Sequence, residues 1–173
     1  FDYSDQMGVT LEYPYFWALG EDTDVLLSPR LMSRQGGLFA AEVTHRFSNG
    51  TVRARVAAVY QLDRSAFTGT VGDRDWRGAF QTTGSFVPIP QWSAGWSYTA
   101  FTDAAFLPDY KLASGVNSVN EVYLTHLSSD YYGDFRLQQF NLLGNVTPLQ
   151  QQQHAKALPN IKASSVTDLP GDL

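Results

Sequence analysis

The stretch GLFAAEVTHRFSNGTVRARVAAVYQL, residues 37–62, decides the fold because it reads as two extended strands joined by a tight turn. In its first half the odd positions 39, 41, 43 and 47 are apolar, and polar side chains fill most positions between them. A period of two is typical of a strand whose two faces meet different surroundings. Asn49-Gly50 separates the halves, and a type I′ hairpin turn needs positive φ at both central residues. The stretch therefore predicts a β-hairpin with one apolar and one charged face.

The same alternation extends outward from this hairpin. No segment gives a convincing helical period, and about eight or nine strands result. Short connections such as Gln35-Gly36 alternate with longer polar segments, as expected for an all-β, antiparallel up-and-down meander. The chain 1–173 is predicted to be one fragment of a β-barrel domain with no separate second domain. Strands are predicted over 23–34, 37–48, 51–62, 76–86, 91–101, 119–127 and 131–142, with a last one over 155–165.

Composition excludes several classes of protein. The formal net charge of −5, with scattered basic residues, argues against nucleic acid as a partner. The chain has no cysteine, which excludes disulfides and thiolate sites. No apolar run approaches the ~18 residues of a membrane helix, whereas barrel strands need only ~9–11. The chain begins at Phe1 without an initiator methionine or signal peptide, so we expect it to be a portion of something longer.

Alternation alone does not separate a soluble sheet from a membrane sheet. Three features favour the membrane: strands of about ten to thirteen residues against a usual ~5–6, aromatic residues near strand ends, and charges in the middle of the opposite face. A wet lumen tolerates such charges, and a packed core does not. A soluble β-sandwich stays open as the alternative. Burial of Val25, Val56 and Trp96 in a dry interior would contradict the membrane interpretation.

Several segments resemble the start of the barrel of the lipopolysaccharide-assembly outer-membrane protein family. Nearly the whole chain is covered in the right order, and the two proline-bearing strands in tandem are the most specific part. The segments that carry the resemblance are LEYPYFWALG (11–20, similar to the first barrel strand), DTDVLLSPRLMSRQG (22–36, the second), Gly37-Leu38 to Glu42, DRDW (73–76), DYYGDF (130–135) and ALPNI (157–161).

The resemblance implies a function in lipopolysaccharide transport at the cell outer membrane, without enzymatic activity or cofactor. The implied partners are lipopolysaccharide, outer-membrane lipid, a lipoprotein that plugs the lumen, and a periplasmic bridge protein reached through a jellyroll domain. On this resemblance we expect that jellyroll and the closing strands of the barrel to lie outside this chain. The cysteines of the family would lie outside it as well.

Pro14 and Pro29 lie in the middle of consecutive predicted strands, fifteen residues apart. Proline donates no hydrogen bond to a sheet, and no water satisfies unpaired carbonyls inside a membrane. On the residues alone, the two prolines are best explained as bends or strand starts. The resemblance instead implies a lateral gate, in which the first strands part from the last strand and let a lipid pass sideways.

Charged side chains at alternate positions of these strands are predicted to face the lumen. They could contact the phosphates and sugars of a glycolipid, with arginine as a bidentate donor. Pairing with each other or solvation by water is the simpler interpretation. The set is Asp24, Arg30, Arg34, Glu42, Arg46, Arg53 and Arg55.

Catalytic and metal sites find little support in the sequence. His45, His126 and His154 lie far apart and lack the spacing of zinc ligands, so no metal is predicted. The acidic residues of 21–24 and 73–75 could gather calcium, although acidic turns are usually only solvated. A barrel enzyme and a soluble carbohydrate-binding β-sandwich remain alternatives to transport. Dependence on detergent for solubility would separate the sandwich from both barrels.

Overall fold

The computed structural model describes residues 1–113, 117–154 and 157–166. They form a single antiparallel sheet of twelve strands with three short helical segments in the connections. The helical segments are a 3₁₀ turn (Arg64–Phe67), α1 (Phe106–Asp109) and α2 (Pro148–His154). The strands are β1 (Asp2–Ser4), β2 (Gly8–Glu12), β3 (Tyr15–Ala18), β4 (Thr23–Leu27), β5 (Arg30–Met32), β6 (Gly36–Phe47), β7 (Gly50–Tyr60), β8 (Trp76–Phe86), β9 (Trp92–Phe101), β10 (Asn117–Leu127), β11 (Tyr131–Leu142) and β12 (Ala157–Ser165).

The sheet is an up-and-down meander, as predicted. From β6 to β12 each strand pairs with its neighbour in sequence, and the hairpin of residues 37–62 forms with Phe47 opposite Gly50. The order is β1-β2-β5-β6-β7-β8-β9-β10-β11-β12, with β3 paired to β4 and β4 to β6. Within the described residues the sheet does not close on itself, which fits a part of a barrel.

The strand count differs from the eight or nine predicted for a physical reason. Pro14 separates β2 from β3, and Pro29 separates β4 from β5, so each of two expected strands is broken in two. β1 is an additional short strand on the edge of β2. The helical segments, which the alternation does not predict, lie in connections. Residues 155–156, where the last strand was expected to begin, lie outside the described part of the chain.

The two faces of the sheet differ in what covers them. We call one the apolar face; it carries Val25, Val43, Val56, Phe80 and Trp96, which belong to rows of directly opposed residues. None of these five side chains belongs to the buried core, and Val56 is 43% exposed. The expectation that Val25, Val56 and Trp96 stay out of a dry interior is therefore met.

The other face, which we call the loop face, is covered at one end. From β6 onward, short connections join the strands at one end of the sheet and long ones at the other, where they fold back over β6, β7 and β8. Ala40, Ala57 and Ala79 lie opposite one another across these three strands. Their small side chains leave room for the aromatic residues of the connections. A buried core forms there with Phe67, Phe106, Leu107 and Tyr110.

No helix among the described residues is both long enough and apolar enough to cross a membrane.

Candidate functional site

The two prolines interrupt the same pair of strands at the same level. Glu12 lies opposite Arg30 on one side of the break, and Tyr15 lies opposite Leu27 on the other. The same register on both sides places Pro29 opposite Tyr13 and Pro14 opposite Ser28. The breaks in β2–β3 and β4–β5 therefore coincide.

Backbone bonds at this break show which donors are lost. The Tyr13 amide donates to the Pro29 carbonyl at 3.1 Å, but Pro29 has no amide hydrogen to return the bond to Tyr13. Ser28 donates to the Ala40 carbonyl at 2.8 Å, towards β6. Because successive backbone groups of a strand point to opposite sides, Pro14 lacks its donor on the edge away from β4. The strand that holds Pro14 is thus weakened on both of its edges.

The edge of the sheet beside Pro14 is divided into two parts. β1 pairs with β2 through residues 8–10 and covers that part of the edge. β3 pairs with β4 alone within the described residues, and all four of its side chains are exposed. The free edge for a further strand is therefore at β3.

The seven charged residues predicted to face the lumen all lie on or beside the loop face, and most of them form ion pairs. Arg46 bonds Asp24, and Arg53 lies 3.5 Å from Glu42. Arg55 lies opposite Glu42 in the register and donates to the Leu112 carbonyl at 3.3 Å. Two of these contacts thus join predicted residues to each other, and the third bonds Arg55 to a backbone carbonyl outside the set.

Arg30 and Arg34 have partners outside that predicted set. Arg30 bonds the Glu12 carboxylate at 2.8 Å and the Tyr110 carbonyl at 2.5 Å. Arg34 contacts Asp63 at 2.5 Å. Hydrogen bonds from Ser65 and Arg34 lower the pKa of the Asp63 carboxyl below its ordinary value. Glu12 and Asp63 are distant in sequence from these arginines. The strand register brings Glu12 to Arg30, and the fold of the long connection brings Asp63 to Arg34.

A buried arginine that the sequence did not single out organises the long connections. The Arg77 side chain on β8 is 0% exposed and makes bidentate bonds to Asp103 at 2.6 and 2.9 Å. It also bonds Asp109 at 2.8 Å. Its guanidinium lies 4.9 Å from the ring centroid of Phe67 and 5.4 Å from that of Tyr110. Two carboxylates and these rings compensate for the loss of water around the charge.

Gln61 completes this cluster with all four of its hydrogen-bonding positions used. Its amide nitrogen donates to the carbonyls of Gly72 and Arg74, and its oxygen accepts from Tyr110 and Arg77. Burial raises the pKa of Tyr110, which keeps the phenol protonated as the donor in this network. Burial also raises the pKa of Asp109, and the bond from Arg77 partly offsets that effect.

A cavity of about 210 Å³ lies between β1, β2 and β5 and the connection that carries Tyr110. Its wall combines Met7 and Met32 with the charged groups of Glu12, Arg30 and Lys111. Lys111 also pairs with Asp2 of β1. The cavity therefore has an apolar floor and a rim of paired charges, next to the strands that the prolines interrupt.

Metal binding finds no support in the described ranges, where no three acidic or histidine side chains are grouped as ligands. Asp73 and Asp75, considered above for calcium, instead pair with Arg64.

The sequence offered one signal for the Arg77 cluster. The run Phe106-Leu107-Pro108-Asp109-Tyr110 is apolar and aromatic within a segment otherwise read as a polar loop. An apolar run in a connection indicates that it packs against something. The identity of its partner, thirty residues earlier in the chain, does not follow from local pattern.

Comparison with known proteins gives one consistent result. The family model described as LPS transport system D (LptD) matches residues 75–172. The LPS-assembly protein LptD of Pseudomonas aeruginosa (strain LESB58) is 29% identical over 160 residues, which cover 87% of this chain and 17% of the relative. That of Nitrosococcus oceani is 25% identical over 148 residues, with 85% and 18% covered. That of Pseudoalteromonas translucida is 25% identical over 149 residues, with 84% and 19% covered. The chain spans less than a fifth of the length of these curated relatives.

Proposed function

The chain belongs to the LptD family, and on that premise we propose that it forms the first part of the wall of an outer-membrane β-barrel that transports lipopolysaccharide to the outer leaflet. The observation that carries this proposal is the apolar face. Phe39, Val43, Val56 and Phe80 are each between 41% and 52% exposed on one side of a single-layered sheet. A soluble protein would cover such a face, whereas hydrocarbon is a suitable solvent for it.

Aromatic rings on this face support a position at a membrane interface. Near the short-turn end, Phe47 and Phe86 lie 5.6 Å apart between ring centroids, and Phe86 and Trp96 lie 5.9 Å apart. At the other end Tyr60 and Trp76 pair at 5.2 Å. Two aromatic belts separated by aliphatic residues are the pattern of barrel strands that cross a bilayer. The protein thus resides in the outer membrane.

The loop face then faces the lumen of the complete barrel. At the short-turn end, Arg46 and Arg53 form ion pairs, yet their side chains stay 50% and 58% exposed. Exposed guanidinium groups exchange one carboxylate or phosphate partner for another at little cost. This face therefore offers a hydrated, charged path along which the phosphates and sugars of a glycolipid can move.

The lateral gate lies at Pro14 and Pro29. Pro14 removes one donor from the strand that borders the free edge, and Pro29 removes the donor with which the next strand would bond it, so the two losses fall at one level. The strand is held there by fewer backbone bonds than any strand of the β6–β9 wall, where pairing is continuous. A lipid leaving the lumen meets least resistance at this place.

We propose two partners of the whole protein. A lipoprotein inserted as a plug would lie against the loop face, and a periplasmic bridge protein would deliver lipopolysaccharide through the jellyroll. The exposed charges of the loop face support contact with a polar plug. The protein acts without catalysis, because transport requires a path and a gate but no bond cleavage.

Disulfide trapping in the full-length protein tests the gate. Tyr15→Cys on β3 is combined with a cysteine on the last barrel strand, and oxidation is expected to stop lipopolysaccharide export, with recovery after reduction. The matched control is Val43→Cys with Ala54→Cys, directly opposed residues of β6 and β7 that the gate does not separate. Export that continues through a fully cross-linked Tyr15→Cys pair overturns the gate.

A further inference from the structure

The segment of residues 103–113, which we call the strap, connects the wall of the sheet to its first strands. Its N-terminal part is fixed to the wall by the bonds of Asp103 and Asp109 to Arg77. Between these contacts, Phe106 and Leu107 are at most 1% exposed and pack on the core of the loop face. Removal of the strap from the sheet would therefore expose apolar surface and leave Arg77 without its partners.

The other end of the strap holds the strands next to the proline break. The Tyr110 carbonyl accepts from Arg30 of β5 at 2.5 Å, across eighty residues of sequence. Lys111 pairs with Asp2 of β1, and both groups are exposed. The Arg30 side chain is only 15% exposed, so its bond counts for more than the surface pair.

The backbone of the strap is bent to make these contacts. Lys111 has φ of 54°, in the left-handed region that residues other than glycine rarely adopt. Its amide donates to the Pro108 carbonyl, and the Leu112 amide donates to Leu107, so the turn is closed by hydrogen bonds. A strained residue persists where the surroundings determine its conformation. The turn presents the Tyr110 carbonyl to Arg30.

Among the first five strands, the strap bonds only those on one side of the break. β1, β2 and β5 lie on the long-loop side of Pro14 and Pro29, where the strap contacts Asp2 and Arg30. β3 lies on the short-turn side, and no strap residue bonds it within the described chain. Its side chains are all exposed, and its sole strand partner there is β4.

We infer that the first strands open as a hinge at the proline break, with β3 free to move and β1, β2 and β5 held by the strap. This inference rests on the proposed gate and specifies which end of the first strands separates. The strands part first at β3, at the short-turn end. Arg30 and Arg77 are positioning residues, because they act on the first strands by holding the strap.

Distances between spin labels on the full-length protein in liposomes test the hinge. One pair, Trp17→Cys with Tyr98→Cys, spans from β3 to β9, five strand spacings or about 24 Å. The other, Leu11→Cys with Trp76→Cys, spans from β2 to β8, four spacings or about 19 Å. All four positions lie on the apolar face. On addition of lipopolysaccharide we expect the first pair to lengthen or broaden by about one strand spacing, ~5 Å, and the second to stay unchanged.

A second set of variants tests the strap itself. Arg30→Gln with Lys111→Gln removes both contacts, and the Leu11–Trp76 pair should then lengthen as the Trp17–Tyr98 pair does. The control is Arg64→Gln, which breaks an exposed ion pair in another long connection and should leave the Leu11–Trp76 distance unchanged. If the Leu11–Trp76 distance stays fixed in the double variant, the strap does not hold β2 and the inference is wrong.

The outcomes separate this inference from the gate. If both label pairs move equally in the protein without strap substitutions, the result supports a gate and overturns the hinge. If neither pair moves while the same liposomes take up and release lipopolysaccharide, the gate and the hinge both fail. Movement confined to the Trp17–Tyr98 pair supports both.

Discussion

Pro14 and Pro29 lie diagonally across one pair of strands, one residue apart in register. The break they make is therefore a single weak level across two strands. In an aqueous protein, water would replace the missing donors. In a bilayer it cannot, so the carbonyls left unpaired favour separation of the strands.

Restoring a donor at this level should slow export. In Pro29→Val the new amide can return a bond to the Tyr13 carbonyl, and a net hydrogen bond contributes about 0.5–1.5 kcal/mol. We expect lipopolysaccharide export to fall by about threefold to tenfold, with the amount of folded barrel unchanged. Export is measured by appearance of lipopolysaccharide at the cell surface. Pro88→Val, in the turn between β8 and β9, is the control and should export normally.

Loss of the buried arginine should destabilise the long connections. Arg77→Met leaves Asp103, whose side chain is 1% exposed, as an uncompensated buried charge. Breaking such a pair typically costs 3–5 kcal/mol. Urea unfolding in liposomes measures the loss. Arg64→Met removes an arginine that is 52% exposed with two carboxylate partners, and should lower stability far less. Equal losses in the two variants would show that the Arg77 cluster contributes no more than a surface pair.

A glycine on β8 is required by the tryptophan opposite it. A Cβ at Gly84 would lie 2.4 Å from the Trp96 ring, which covers this position on the apolar face. Gly84→Ala should displace the ring and cost about 1–3 kcal/mol through overpacking. Tryptophan fluorescence and urea unfolding report the change. Gly133→Ala is the control, since no atom lies within 4 Å of its new Cβ. Unaltered fluorescence in Gly84→Ala would contradict the close approach.

Acid should weaken the attachment of Arg34 to the long connection. Because the pKa of Asp63 is lowered in the fold, its carboxylate stabilises the folded state above its ordinary pKa of 3.8, and this contribution is lost as the pH falls below that value. Asp63→Asn should accelerate amide exchange of residues 61–67 at pH 7. As the pH falls below about 4, the difference from the parent should shrink. A difference that does not depend on pH would assign the effect to shape and not to charge.

The sequence predicts the wall of the barrel well because the wall is locally determined. Alternation from Gly37 to Leu62 gives both strands, the turn at Asn49-Gly50 and the division into two faces. The breaks at the prolines are predictable as well, because proline in mid-strand indicates a bend or the end of a strand. Their diagonal placement, one residue apart, needs the register, which the strand fragments on either side supply.

The strap and Arg77, which holds it, cannot be predicted from a local sequence pattern. Arg77 bonds residues 26 and 32 positions later in the chain, and no period connects them. The pattern places Arg77 on the charged face, where water is the default partner. Arg77 becomes buried and ion-paired only because the Phe106–Tyr110 run folds back over it. Likewise, the pairing of Arg30 with Glu12 follows from strand register and not from spacing.

The central claim is that neighbouring residues of one strand face lipid and water in turn. Val56→Cys and Arg53→Cys on β7, each carrying a spin label in the full-length protein in liposomes, measure this directly. Oxygen, which concentrates in hydrocarbon, should relax the label at 56, and a water-soluble nickel chelate should relax the label at 53. Equal access of the nickel chelate to both positions would contradict the membrane barrel.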